Sequence, residues 1–178
     1  MIINKLRLLF RHLWLDASDA RRAIAPDMME RLTQKVAASE GRHTGQIRIC
    51  VEAALPMSYL WRLGANLTLK QLIRQRALMM FGKLGVWDTA HNNGVMIYLQ
   101  LAERSIEIVA DRGLSQHVDE TLWQAMIARM SANFMERRFE DGLTLALEEV
   151  SALLVMYFPS SGQQGRQLNE LPDEPFLD

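Results

Sequence analysis

Residues 86–113 have the clearest secondary-structure pattern in the chain: VWDTAHNNGVMIYLQLAERSIEIVADRG. Within them, residues 95–101 are almost continuously apolar, which is typical of a strand buried on both faces. Residues 102–105 can turn the chain into a second strand, with Ile106 and Ile108 pointing inward. The segment therefore predicts a hairpin at the centre of a sheet.

The segment that precedes this hairpin predicts a further strand. From Gln46 to Pro56 apolar and polar residues alternate, which predicts a strand covered on one face. The single cysteine of the chain, Cys50, lies on the more polar side, and nothing near it in sequence indicates a lowered thiol pKa. We interpret it as structural.

Helical patterns surround these strands. Pro26 suits the first turn of one helix, and Thr68 with Gln71 forms a capping box for the next. Asp119 and Asp141 can each cap a later helix that has an apolar face. The order of elements predicts an α/β domain in which helices cover a sheet.

Composition excludes several classes of function. The 20 basic residues nearly balance the 21 acidic ones and alternate with them along the chain, so we predict no nucleic-acid partner. One cysteine and four scattered histidines make a structural zinc site implausible. A glycine-rich phosphate loop, a dinucleotide fingerprint and a nucleophile elbow are also missing from the sequence, which disfavours the common nucleotide enzymes.

The two ends of the chain differ from its centre. Residues 1–23 predict a basic amphipathic helix and a polar hinge, with Lys5, Arg7 and Arg11 beside an apolar stripe of Ile2, Leu6, Leu9, Phe10 and Leu13. Such a helix either lies on an anionic membrane or a partner, or docks on its own domain. Residues 24–158 predict the folded domain and residues 159–178 a flexible tail. We expect neither a signal peptide nor a membrane-spanning helix.

One polar cluster contains the residue types of a cation-binding site. Asp88, His91, Asn92 and Asn93 precede Gly94, and the hairpin places Asp111 and Arg112 across from them. Carboxylate, amide and backbone oxygens there could hold a hard cation such as calcium or magnesium. The alternative, which the residues alone favour, is a tight Asn-Asn-Gly turn that uses positive φ angles.

A second polar segment links the last two helices. Residues 136–140 include Arg137 and Arg138, whose guanidinium groups could recognise an acidic or phosphorylated ligand. The alternative is a solvated loop without a ligand.

Three segments resemble the TPM-domain family, which includes thylakoid phosphatase-like proteins. They are GQIRICVEAALP, NNGVMIYLQLAERSIEIVADRGL and FMERRFEDGLTLAL, and the likeness covers about residues 26–158. Its most specific parts are the pair Asn93-Gly94, the strand end at Asp111 to Gly113, and Phe139 followed by Gly142. The resemblance implies a three-layer α/β/α sandwich with a mixed sheet of about four strands.

The resemblance also implies functional properties. Members of this family are tied to the maintenance of membrane complexes, have a proposed acid phosphatase activity, and in some cases bind divalent cations. Carried onto this chain, the family's crevice involves Asp88, Asn93 and Asp111 as metal ligands, with calcium or magnesium as the ion. Many members place an acidic residue where this chain has Asn92.

From these observations we predict a non-catalytic interaction or accessory module that serves a membrane-associated assembly. It is expected to be a cytoplasmic, bacterial-type variant with a protein partner and peripheral contact at the inner face of the membrane through residues 1–15. The alternative is a weak divalent-metal-dependent acid phosphatase. We assign no catalytic residue and no organic cofactor.

Overall fold

The computed structural model describes residues 2–64, 67–160 and 169–178, with side chains from Leu6 onward. The helices in these residues are α1 (Ile2–Trp14), α2 (Ala17–Ala23), α3 (Pro26–Glu40), α4 (Met57–Leu60), α5 (Leu69–Lys83), α6 (Arg112–Ser115), α7 (Glu120–Met135) and α8 (Phe139–Tyr157). The strands are β1 (Ile47–Glu52), β2 (Val95–Gln100), β3 (Ser105–Ala110) and β4 (Phe176–Leu177). None of these helices has the length and apolarity required to cross a bilayer.

The four strands form one mixed sheet in the order β3-β2-β1-β4. Strands β1 and β2 are parallel and in register from Ile47 opposite Val95 to Glu52 opposite Gln100. Strand β3 runs antiparallel to β2, as the hairpin prediction requires, with Ala110 opposite Val95. The mixed sheet predicted from the sequence is confirmed.

Helices cover both faces of this sheet. On one face α2, α3, α7 and α8 bury a core that includes Leu32, Val36, Ile49, Ile97, Phe134 and Leu147. On the other face α4 and α5 bury a second core that includes Cys50, Leu60, Leu72, Met80, Met96 and Tyr98. The domain is therefore the predicted three-layer α/β/α sandwich.

Strand β1 is more enclosed than its alternating pattern predicted. Every residue of β1 is buried, as is every residue of β2. Helices α4 and α5 cover the side of β1 that includes Cys50, and Arg48 on the same side donates to the carbonyl oxygens of Pro172 and Glu174, each at 2.6 Å. Partners distant in sequence, which alternation does not reveal, bury this face.

The helix starts agree with the sequence at three positions, the first being Pro26 at the start of α3, and differ at two. Thr68 forms the predicted capping box of α5, and Asp119 accepts a hydrogen bond from the amide of Leu122 in α7. The predicted cap Asp141 is wrong, because the N-cap of α8 is Arg138, three residues earlier, and the helix begins at Phe139. The predicted polar hinge is the helix α2, which a capping box at Asp16 begins.

The C-terminal segment also differs from the sequence prediction. The residues 169–178 pack on the domain instead of forming a flexible tail, and Phe176–Leu177 pairs with β1 as an edge strand. Leu171 is buried, and Gln46 accepts hydrogen bonds from the backbone amides of Glu170 and Leu171. The segment has few apolar residues, but hydrogen bonds to β1 and to the residues around it hold it. Residues 161–168 of the predicted tail lie outside the described residues.

Candidate functional site

Helix α1 docks on the domain through the polar side chains of Arg11 and His12 together with the apolar side chains of Leu8 and Leu9. His12 is buried, and its Nδ1 accepts a hydrogen bond of 3.0 Å from the backbone amide of Leu55. Its Nε2 lies 3.2 Å from Oε1 of Glu103, which also receives Nη1 of Arg11 at 3.0 Å. Since Leu55 follows β1 and Glu103 follows β2, α1 lies across the carboxyl ends of the two parallel strands.

This docking leaves the apolar stripe of α1 largely uncovered. Leu6, Phe10, Leu13 and Trp14, which we call the α1 outer face, have 49%, 59%, 59% and 81% of their surface exposed. Of the predicted stripe, Leu9 instead turns toward the domain and packs with Leu8 against the second core. The side chains of Ile2 and Lys5 lie outside the described residues.

The docking alternative for this helix is confirmed, whereas contact with a membrane or a partner stays a prediction. The helix docks on its own domain, as one alternative predicted, yet the face that would bind a membrane or partner remains exposed. The basic residue Arg7 is also exposed, next to this face. Single exposed apolar residues are common on protein surfaces, but a contiguous exposed apolar face indicates an interaction site.

Two predicted metal ligands, Asn93 and Asp111, come together at the opposite end of the sheet. The amide of Asp111 donates to the carbonyl oxygen of Gly94 at 2.9 Å, which places Asp111 beside the residue after Asn93. Asn93 is 1% exposed, and its amide nitrogen Nδ2 donates to Oγ1 of Thr44 at 3.2 Å. We call Asn93 and Asp111 the strand-end pair.

Each member of the strand-end pair has one oxygen without a donor. Oδ1 of Asn93 and Oδ2 of Asp111 are buried and have no hydrogen-bond partner among the described residues. The other carboxylate oxygen of Asp111 accepts from the amide of Arg112 at 2.7 Å. Buried acceptors without donors cost free energy, so such atoms commonly indicate a missing ligand or water.

Glycines allow the close backbone packing around this pair. A Cβ atom at Gly94 would lie 2.0 Å from the carbonyl oxygen of Val86, and one at Gly113 would lie 2.4 Å from that of Asn92. Asn92 itself has a φ of 52°, as expected for the predicted tight turn. The Asn-Asn-Gly and Asp-Arg-Gly motifs therefore have a structural role at this site.

The third predicted metal ligand, Asp88, is placed differently. It is exposed, and no hydrogen bond in the described part of the chain joins its side chain to Asn93 or Asp111. Within the described residues, no three His, Cys, Asp or Glu side chains lie close enough together to hold a metal ion. A cation here would be held by the Asp111 carboxylate and by amide and backbone oxygens.

A buried polar network that the sequence did not indicate lies at the other end of β1. Glu52 accepts from Nε of Arg76 at 2.8 Å and from the hydroxyl of Tyr98 at 2.6 Å. Burial, and then the Glu52 carboxylate, raise the pKa of Tyr98 far above its usual value. Because these charged and polar groups pair with one another, we interpret the network as part of the core.

Comparison with known proteins identifies the family. The sequence model of the TPM domain family matches residues 17–153, which is most of the chain. The chain belongs to the TPM domain family. The match begins in α2 and ends in α8, so α1 and the C-terminal strand β4 lie outside it.

A solved structure has the same fold as this TPM domain. The chain is similar to the BA42 protein of the psychrophilic bacterium Bizionia argentinensis, whose structure was determined by NMR, with a TM-score of 0.67 and 21% identity. The similarity covers 85% of this chain and 93% of BA42. A search of curated proteins found no match.

Proposed function

We propose that this TPM domain protein is a non-catalytic interaction module that attaches reversibly to the surface of an anionic membrane and serves an assembly there. The observation that carries this proposal is the α1 outer face, which the docking of α1 on the domain leaves exposed. His12 and the Arg11–Glu103 ion pair hold the helix in this orientation. The protein therefore presents a preformed apolar face instead of having to fold one on binding.

The energies agree with reversible attachment. Burial of apolar surface contributes roughly 25 cal/mol per Å², and a basic residue near an anionic surface adds about 1 kcal/mol. Arg7 is exposed and free to contribute this attraction, whereas Arg11 is already paired with Glu103. An interfacial helix with four exposed apolar side chains thus binds and dissociates without a lipid anchor.

Vesicle sedimentation tests the proposal. The intact protein is expected to sediment with vesicles that contain phosphatidylglycerol, and less so at high salt because ions screen the basic residues. Replacement of Leu6, Phe10 and Leu13 by serine should abolish sedimentation, because it removes most of the apolar face.

A matched control separates this effect from a general loss of apolar surface. Leu78, Leu122 and Met156 are also exposed, at 48%, 40% and 69%, and lie on other helices. Their replacement by serine should leave sedimentation unchanged. Equal binding by both triple variants, or no binding by the intact protein, would rule out the α1 outer face as a membrane site.

A second candidate function is the binding of calcium or magnesium by the strand-end pair. The two buried oxygens without donors support it, because hard cations prefer carboxylate and amide oxygens. A cation held there would supply the Lewis acidity that a metal-dependent acid phosphatase requires. Asp111 would contribute the negative charge, and Asn93 would contribute a neutral ligand oxygen.

Thermal unfolding tests this second candidate. Millimolar calcium or magnesium should raise the melting temperature by mass action on the folded state, and Asp111→Asn should remove the increase. The exposed Asp88 provides a comparison, since Asp88→Ala should also remove the increase only if that side chain joins the ion. A melting temperature that neither ion changes would argue against a cation site.

A further inference from the structure

A cavity of about 590 Å³ lies at the carboxyl ends of β1 and β2, beneath the end of α1. Its walls come from α1, α2, the β2–β3 turn and the start of α8, and include Arg11, Asp19, Leu101, Arg104, Arg137 and Phe139. In sheets with parallel strands, ligands commonly bind at the carboxyl ends of those strands. The strand-end pair lies at the other end of β2, so this cavity is a separate site.

The side chains that line the cavity carry a net positive charge. Its two acidic residues have partners, because Glu103 pairs with Arg11 and Asp19 pairs with Arg22. The guanidinium of Arg104 donates to the carbonyl oxygen of Met135 at 2.9 Å and has no acidic partner in the described residues. The Arg137 guanidinium has neither an ion pair nor a hydrogen bond within that part of the chain.

The backbone at both of these arginines is unusual. Arg104 has a φ of 50° and Arg137 a φ of 61°, whereas long side chains rarely adopt positive φ. Among the described non-glycine residues the only other such residue is Asn92, whose side chain tolerates this conformation. At Arg137 this conformation ends α7, because the amides of Arg137 and Arg138 donate to the carbonyl oxygens of Phe134 and Asn133. At Arg104 it closes the β2–β3 turn, and both turns place their arginine on the cavity.

We propose that this cavity binds a phosphate group through Arg104 and Arg137. Guanidinium groups form paired, charge-assisted hydrogen bonds with phosphate oxygens, and the cavity supplies two that are free of acidic partners. Leu101 and Phe139 add an apolar wall suited to the carbon atoms of a phosphate ester.

The position of the cavity indicates a phospholipid headgroup as the source of this phosphate. Arg11 lines the cavity and lies on α1 beside Trp14, the last residue of the α1 outer face. A helix that lies on a bilayer would therefore bring the cavity to the level of the headgroups. This choice of source rests on the proposed membrane function, whereas phosphate binding itself does not.

An NMR titration with glycerol phosphate tests the phosphate site without a membrane. The amides of residues 101–104 and 137–139 are expected to shift saturably in the intact protein. The substitutions Arg104→Asn and Arg137→Asn should each weaken binding about tenfold, since each removes charge-assisted hydrogen bonds. Asparagine tolerates positive φ, so both variants should remain folded.

Arg62→Gln is the matched control, because Arg62 is an exposed arginine whose partner is Gln75, outside the cavity. Its affinity for glycerol phosphate should equal that of the intact protein, which excludes a simple effect of net charge. If no saturable shifts occur, or if all four proteins bind equally, the phosphate site does not exist.

Vesicles distinguish the two sources of phosphate. If the source is a headgroup, Arg137→Asn should weaken binding to phosphatidylglycerol vesicles more than Arg62→Gln does. If both variants bind vesicles alike while only Arg137→Asn loses glycerol phosphate, the site stands and its ligand is a soluble phosphate ester. If the intact protein binds glycerol phosphate but no vesicles, the membrane function fails and the phosphate site remains.

Discussion

Burial shifts the pKa values of two residues near the end of α3 in opposite directions. Glu40 accepts a hydrogen bond of 2.7 Å from the amide of Ile47, and burial raises the pKa of its carboxyl to about 7. Burial lowers the pKa of His43 to about 4, and its ring lies between Oγ of Ser39 and the carbonyl oxygen of Gly45. Both pKa shifts make the free energy of unfolding depend on pH.

The signs of these two contributions are opposite. The folded state holds the proton of Glu40 more tightly than the unfolded state, so its contribution to stability is present at low pH and is lost as pH rises toward 7. The unfolded state holds the proton of His43 more tightly, so its contribution is present above pH 6.5 and is lost as pH falls toward 4. Between about pH 4.5 and 6.5 the two contributions oppose each other.

Glu40→Gln should separate these contributions. The amide oxygen of glutamine can still accept from Ile47, but the cost of ionising residue 40 is gone. The variant's free energy of unfolding should therefore exceed that of the intact protein by an amount that grows by roughly 2 kcal/mol from pH 5 to pH 8. Urea unfolding measures this difference. Glu30→Gln, at an exposed position of the same helix, should show no such gain, and equal pH profiles for all three proteins would contradict the prediction.

Single residues also show what the sequence could and could not predict. Asn93 and Asp111 were identified because their motifs flank two well-patterned strands, and the structure brings them together. The role of His12 was not visible, because its partner Leu55 lies 43 residues away and the contact depends on how α1 docks. The positive φ of Arg104 and Arg137 could not be predicted either, because arginine does not favour that conformation.

At the scale of elements, the C-terminal segment shows how a sparsely apolar stretch becomes part of a fold. The backbone of β4 and the following residue completes the ladder of β1, with Ala53 donating to the carbonyl oxygen of Asp178 at 2.8 Å. Arg48, itself buried, takes two carbonyl oxygens of the segment as its acceptors. The segment thus covers both an open strand edge and a buried cation.

Deletion of residues 169–178 should destabilise the domain. It uncovers the edge of β1, exposes the site of Leu171 and leaves Arg48 without its carbonyl partners, at a cost of about 3 to 5 kcal/mol. Urea unfolding should show a lower midpoint for the shortened chain. Asn169→Ala is the control, because its side chain bonds only Asp173 at the surface, and a midpoint unchanged by the deletion would show that the segment is not part of the core.

Across the whole molecule, the general architecture followed from the sequence because its signals are local. A continuous apolar strand, an alternating strand and capped amphipathic helices predicted a covered mixed sheet, and the structure has one. Contacts between the ends of the chain and its centre were not predictable in this way. Polar groups in the central part of the chain hold both α1 and the segment that includes β4. The sequence of neither element predicts which residues it contacts.

The position of α1 across the strand ends determines which end of the sheet faces a membrane on which α1 lies. If α1 lies flat on a bilayer, β1 and β2 point toward the lipid and Asn93 and Asp111 point away from it, into the surrounding water. Six residues of strand span about 20 Å, so the two sites are separated by roughly that distance along the strands. A protein that recognises the far end would therefore be held at a fixed height above the lipid, with the sheet acting as a rigid spacer.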